Sequence, residues 1–125
     1  MQIVDTNIVL RYILGDHADL SARAKKIFDE NIVEIPIEVI CEVVFVLSSV
    51  YKVSRKEINT RLKTFFTETQ CELPRRKALL KGLEIFAEKN LGFVDCILIG
   101  YKECENATIH TFDKALQKTL QSNNK

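Results

Sequence analysis

Four short apolar stretches alternate with helix-patterned ones along this chain, and that alternation limits what it can fold into. Ile3-Val4, Ile32 to Ile35, Gln70 to Leu73 and Ala107 to Phe112 read as strands. Between them lie segments of helical periodicity. Ile8 to Leu14 follows Asp5-Thr6-Asn7 and is stopped by Gly15-Asp16. Asp19 to Glu30 carries Leu20, Ala24, Ile27 and Phe28 at helical spacing. Ile37 to Tyr51 is apolar enough to be buried on most sides. Ser54-Arg55-Lys56-Glu57 is a capping box that opens a helix to about Glu68. After Pro74, a helix from Arg75 to Lys89 is closed by Asn90-Leu91-Gly92. Phe93 to Cys104 and Asp113 to Leu120 complete the set. Strands that alternate with helices imply a mostly parallel sheet covered on both faces, the α/β class. With 125 residues, no internal repeat and no linker, residues 1–120 are expected to form a single domain, with residues 121–125 a frayed polar tail.

Composition excludes several classes. The net charge of +1 provides no overall field for a nucleic acid, so any such partner must be held by local patches. No apolar run approaches the ~20 residues of a membrane span, and the N-terminal residues lack the pattern of a signal peptide. Cys41, Cys71, Cys96 and Cys104 form no Cys-x-x-Cys pair. They imply neither structural zinc nor disulfides, and a reducing cytoplasm is the simplest home. Cys41 and Cys96, in apolar stretches, are expected to pack as small hydrophobes.

Among 17 acidic residues, four stand out of place. Asp5 and Asp113 close the first and last strands; Glu42 and Asp95 interrupt apolar helices. Asp5 and Asp113 have a plain alternative as helix caps, and Asp95 as a first-turn acid that suits the helix dipole. Glu42 is harder to explain, because a charge on a buried helix costs several kcal/mol unless paired, and no Arg or Lys lies between Glu30 and Lys52. Ligands of open parallel sheets bind beyond the carboxyl ends of the strands. If the first and fourth strands are neighbours, all four acids can converge on one edge. Two carboxylates about 5 Å apart repel by roughly 3 kcal/mol at an effective dielectric near 20. Such a cluster calls for a cation, and oxygen donors alone select a hard one, Mg²⁺ or Mn²⁺, of the kind that serves phosphate chemistry.

Val4-Asp5-Thr6-Asn7, Glu42 in its apolar helix, Leu91-Gly92-Phe93-Val94-Asp95 and Thr111-Phe112-Asp113 together resemble the PIN domain over nearly the whole chain, and the short length resembles its VapC toxin branch. The resemblance implies an α/β/α sandwich with a four- or five-stranded sheet. It implies a Mg²⁺- or Mn²⁺-dependent endoribonuclease, with Asp5, Glu42, Asp95 and Asp113 as the catalytic acids. Asp5, Asp95 and Asp113 would hold the metal, while Glu42 would be a further ligand or orient the attacking water. Asn7 and Thr111 match supporting polar positions. RNA substrate, a small antitoxin and a homodimer are the implied partners, and 5′-phosphate and 3′-hydroxyl ends the implied products. Two departures are visible: Ala115 stands where many relatives carry another acid, and the chain ends without the final strand many relatives have. A PIN nuclease of RNA processing or of DNA, or an inactive PIN-like module that binds RNA or protein, is the alternative.

Arg75-Arg76-Lys77 is the densest basic cluster and Arg11 is the basic residue nearest Asp5 in sequence, so these four are the expected RNA contacts. His17 lies in a polar turn, and His110 is expected to be packed, which argues against a two-histidine mechanism. Phe45, Phe65, Phe66 and Phe86 are spaced for core or dimer contacts.

Overall fold

Polar side chains cap several of the helices, as the sequence leads one to expect. In the computed structural model, which describes Met1 to Ser122, Asp5 caps α1 (Thr6–Leu14), His17 caps α2 (Ala18–Glu30) and Ser54 caps α4 (Arg55–Glu68). The His17 cap is a ring acceptor: Nδ1 takes the N–H of Leu20 at 3.1 Å. Pro36, whose missing N–H is no loss at a helix start, precedes α3 (Ile37–Ser49). Gly15 ends α1 with φ at 59°, in the left-handed region that glycine enters freely.

The described residues form two compact units. In the first, Met1–Pro74, α1 to α4 accompany a small parallel sheet of β1 (Val33–Glu34) and β2 (Cys71–Glu72). Val33 is paired with Cys71 and Glu34 with Glu72. Ile3 adds a single parallel bridge to Glu34, supported by the Glu34 N–H to Gln2 carbonyl bond at 2.7 Å. The core holds Val9, Leu10, Ile35, Leu47, Ile58 and Leu62, with Phe28 and Phe65 edge to face at 5.1 Å. Tyr12 stands against the same two rings.

The second unit, from Arg75 onward, contains α5 (Arg76–Glu88), α6 (Phe93–Glu105) and α7 (Lys114–Ser122). α5 and α6 approach unusually closely because two positions lack a side chain. A Cβ on Gly82 would lie 3.1 Å from Ile97 Cα, and one on Gly100 would collide with the Ala78 carbonyl. Phe86 and Phe93 pack edge to face at 5.6 Å in the same helix pair.

Several expectations need correction. The sheet is smaller than the four or five strands expected: residues 107–112 are extended but form no ladder among the described residues. A strand needs a partner for its backbone groups, and among the described residues the unit that contains this segment has no strand. His110 is accordingly exposed rather than packed, and Phe112 is fully exposed. α3 is buried on one face only, with Glu38, Glu42, Phe45 and Ser49 exposed along the other. Phe45 is thus not a core residue, whereas Phe65, Phe66 and Phe86 are. Gly92 does not end α5, whose C-cap is Lys89; with φ at −63° it is the N-cap of α6. α7 continues through Ser122, so Gln121 and Ser122 belong to a helix, and the remainder of the expected tail lies outside the described residues. All four cysteines are free, Cys71 and Cys96 buried, Cys41 half-buried and Cys104 exposed. No helix among the described residues is long and apolar enough to cross a membrane.

Candidate functional site

Asp5 and Asp113 are placed by the same local device. The Asp5 carboxylate accepts the Ile8 N–H at 3.1 Å, and its carbonyl accepts the Val9 N–H. The Asp113 carboxylate accepts the Leu116 N–H at 2.8 Å, and its carbonyl accepts the Gln117 N–H at 2.9 Å. Both are N-caps, as their plain alternative requires. A cap occupies Oδ1 and leaves Oδ2 as the oxygen for a ligand, so capping and ligation are compatible. Thr111 supports Asp113 from behind: its Oγ1 accepts the Asp113 N–H at 3.0 Å, and its carbonyl accepts Gln117 Nε2 at 2.6 Å. Asn7 is exposed in the first turn of α1.

Glu42 is exposed on the polar stripe of α3. The desolvation argument for a compensating cation or partner at Glu42 therefore fails, since water already solvates the charge. Asp95 is half-buried in the first turn of α6, where the helix dipole favours an acid. Asp5 and Glu42 belong to the first unit, Asp95 and Asp113 to the second. Within neither unit do three or more His, Cys, Asp or Glu among the described residues gather as a metal cluster. Each unit supplies two of the four carboxylates. Their donors are oxygen only, which suits a hard divalent cation by chemistry.

A cleft of about 570 Å³ is lined by Ile109, His110, Thr111, Phe112, Gln117 and Leu120 among others, and Asp113 is not in its lining. It is walled by the unpaired segment and by α7. Burial and the Glu38 charge push the Cys41 thiol up from its ordinary value. Burial, aided by Glu68, raises the Tyr12 phenol in the same way.

The basic residues divide. Arg76 and Lys77 are exposed at the start of α5. Arg75 precedes them in a left-handed conformation, φ 48°, with its guanidinium 5.6 Å from the centre of the Tyr101 ring and in an ion pair with Glu105. Arg11 is engaged inside its own unit, bonded to Asp16 and to the Tyr51 hydroxyl. Sequence reasoning missed Tyr51, which lies 40 residues from Arg11 and carries no local signal of that contact.

The PIN domain family model matches residues 3–120. A VapC ribonuclease of Aquifex aeolicus (strain VF5) is 22% identical over 107 residues, which cover 78% of this chain and 75% of that protein. No solved structure matches the chain.

Proposed function

The chain belongs to the PIN domain family, and from that premise we propose that it is a metal-dependent endoribonuclease, the toxin of a toxin–antitoxin pair. The observation that carries this reading is the family match from residue 3 to residue 120, which takes in Asp5, Glu42, Asp95 and Asp113 together. Likeness to a VapC ribonuclease supports RNA as the substrate and a small antitoxin as partner. The match spans both units, which supports treating residues 1–120 as one nuclease domain.

In this reading Asp5, Asp95 and Asp113 hold Mg²⁺ or Mn²⁺, and Glu42 is a further ligand or orients the attacking water. The cation supplies a Lewis acid for the phosphodiester and helps ionise water at neutral pH. Asp5 and Asp113 are held by their helix N-termini, so their carboxylates need little reorganisation when the substrate arrives. Thr111 steadies Asp113 through its backbone. Arg76 and Lys77, exposed at the start of α5, are the candidates to follow the RNA backbone. Attack by water needs no 2′-hydroxyl, so the fragments carry 5′-phosphate and 3′-hydroxyl ends. A homodimer accords with the exposed apolar surface of Phe45 and Val50.

The test is cleavage of RNA by the purified chain with Mn²⁺ and with excess chelator, followed by end-group analysis of the fragments. Cleavage with Mn²⁺ alone and 5′-phosphate ends are expected. Equal cleavage in chelator, or 2′,3′-cyclic phosphate ends, would overturn the reading in favour of acid–base chemistry.

A further inference from the structure

The sequence places Arg11 at the RNA, yet its side chain is only 16% exposed and both terminal guanidinium nitrogens are taken up by partners within its own unit. Nη1 donates to Asp16 Oδ1 at 2.8 Å and Nη2 to the Tyr51 hydroxyl at 2.9 Å. Its carbonyl accepts Ser21 Oγ at 2.8 Å and the Gly15 N–H at 3.1 Å. Nε is buried without a partner. One residue thereby joins the last turn of α1, the turn that follows, α2, and the chain just beyond α3.

Ion pairing with the exposed Asp16 adds little stability by itself, and Nε stays unsatisfied, so the arrangement is a poor choice for stability alone. What the planar fork provides is geometry: two donors at fixed angles, which lysine cannot reproduce. The two helices it ties are the ones that bear the carboxylates of this unit. Asp5 caps α1 about 9 Å before Arg11, and Glu42 lies on α3 about 10 Å before its last residue, Ser49, at ~1.5 Å rise per residue. Helices of this length move as rods, and α1 and α3 also touch directly, so a tie near one end limits how far the other can swing.

We propose that Arg11, with Tyr51 and Asp16, is a positioning clamp that fixes α1 against α3 and so holds Asp5 and Glu42 at a constant separation. This rests on the nuclease reading above. Arg11 is then a positioning residue and not an RNA contact.

The test compares Tyr51→Phe, Arg11→Lys and the double variant for RNA cleavage in Mn²⁺, with circular dichroism to confirm folding. Tyr51→Phe removes one oxygen and is the variant expected to fold whatever happens to the other. Each single variant should lower kcat about tenfold with KM for RNA unchanged, since small misplacements of reacting groups can cost up to ~10²-fold. The double variant should be no worse than either single one, because both break the same bond. Three results would overturn the clamp. A lowered melting temperature with parental kcat makes it structural only. A raised KM for Arg11→Lys, with its kcat parental and Tyr51→Phe silent, makes Arg11 an RNA contact. A parent that cleaves no RNA in Mn²⁺ overturns the nuclease reading and the clamp with it, a result visible before any variant is compared.

Discussion

Two acids start helices in this molecule, and the chain reaches them by different routes. Before Asp5 it passes through Ile3, bridged to Glu34, and Val4, 5% exposed in the core. Before Asp113 it passes through residues 107–112, which form no ladder and leave Phe112 wholly in solvent. Yet the two caps are alike, each carboxylate taking the N–H three residues on. A cap is decided within four residues of chain. A ladder is decided by a partner strand far away in sequence, and the two can be set independently. The nuclease reading requires both acids, so the decisive question is whether the unpaired approach makes Asp113 the lesser of the two.

The largest expected effect addresses this directly. Asp5→Asn and Asp113→Asn should each lower the rate of Mn²⁺-dependent RNA cleavage by on the order of 10²-fold or more, a loss of roughly 3 kcal/mol in transition-state stabilisation. Asparagine caps about as well as aspartate, so both variants should fold as the parent does. Initial rates and circular dichroism measure the two halves. A parental rate for Asp113→Asn alone would separate the two helix starts and leave Asp113 only as a cap.

The next effect is one of stability and bears on the approach segments themselves. Val4→Ala removes two buried methyl groups and should cost about 2 kcal/mol in urea melts. Phe112→Ala removes a fully exposed ring, and should stay within about 0.5 kcal/mol of the parent. A loss of 2 kcal/mol or more at Phe112 would show that this side chain is covered in solution. That is the result a fourth strand would give, and it would restore the larger sheet expected from the alternation.

The same division between local and distant causes explains what the sequence could reveal. The helices among the described residues were legible to within one or two residues, because caps such as Ser54 and Gly15 and the apolar spacing of Leu20, Ala24, Ile27 and Phe28 are local signals. β1 and β2 were legible in place but not in extent. Glu42 was misjudged because its neighbours in sequence are apolar, whereas helical geometry puts it on the stripe of Glu38 and Phe45, away from Val43 and Val44. Gly82 and Gly100 gave no sign that they let α5 and α6 close together, since only the facing helix reveals the need. The Arg11–Tyr51 bond was invisible for the same reason. Each of the four acids stands out in the sequence, while the unit to which each belongs does not.

The smallest expected effect tests the likeness of the caps. With chelator present, so that no metal contributes, Asp5→Ala and Asp113→Ala should each destabilise by about 1 kcal/mol, the ordinary worth of an N-cap hydrogen bond. For a domain of this size that is roughly 3–6 °C in Tm. The corresponding Asn variants should lose little, because a side-chain amide oxygen can accept the same N–H of Ile8 or Leu116. Asp5→Asn can even gain slightly if the metal-free carboxylates repel one another, since one negative charge is then gone. Thermal melts of the four variants beside the parent give the comparison. Equal losses for the two Ala variants, each rescued by Asn, would show that the caps work identically despite their different approaches. A loss at Asp5→Ala with none at Asp113→Ala would mean that α7 does not depend on its cap. The hydrogen bond of Asp113 to Leu116 would then be too weakly held to fix the carboxylate for catalysis.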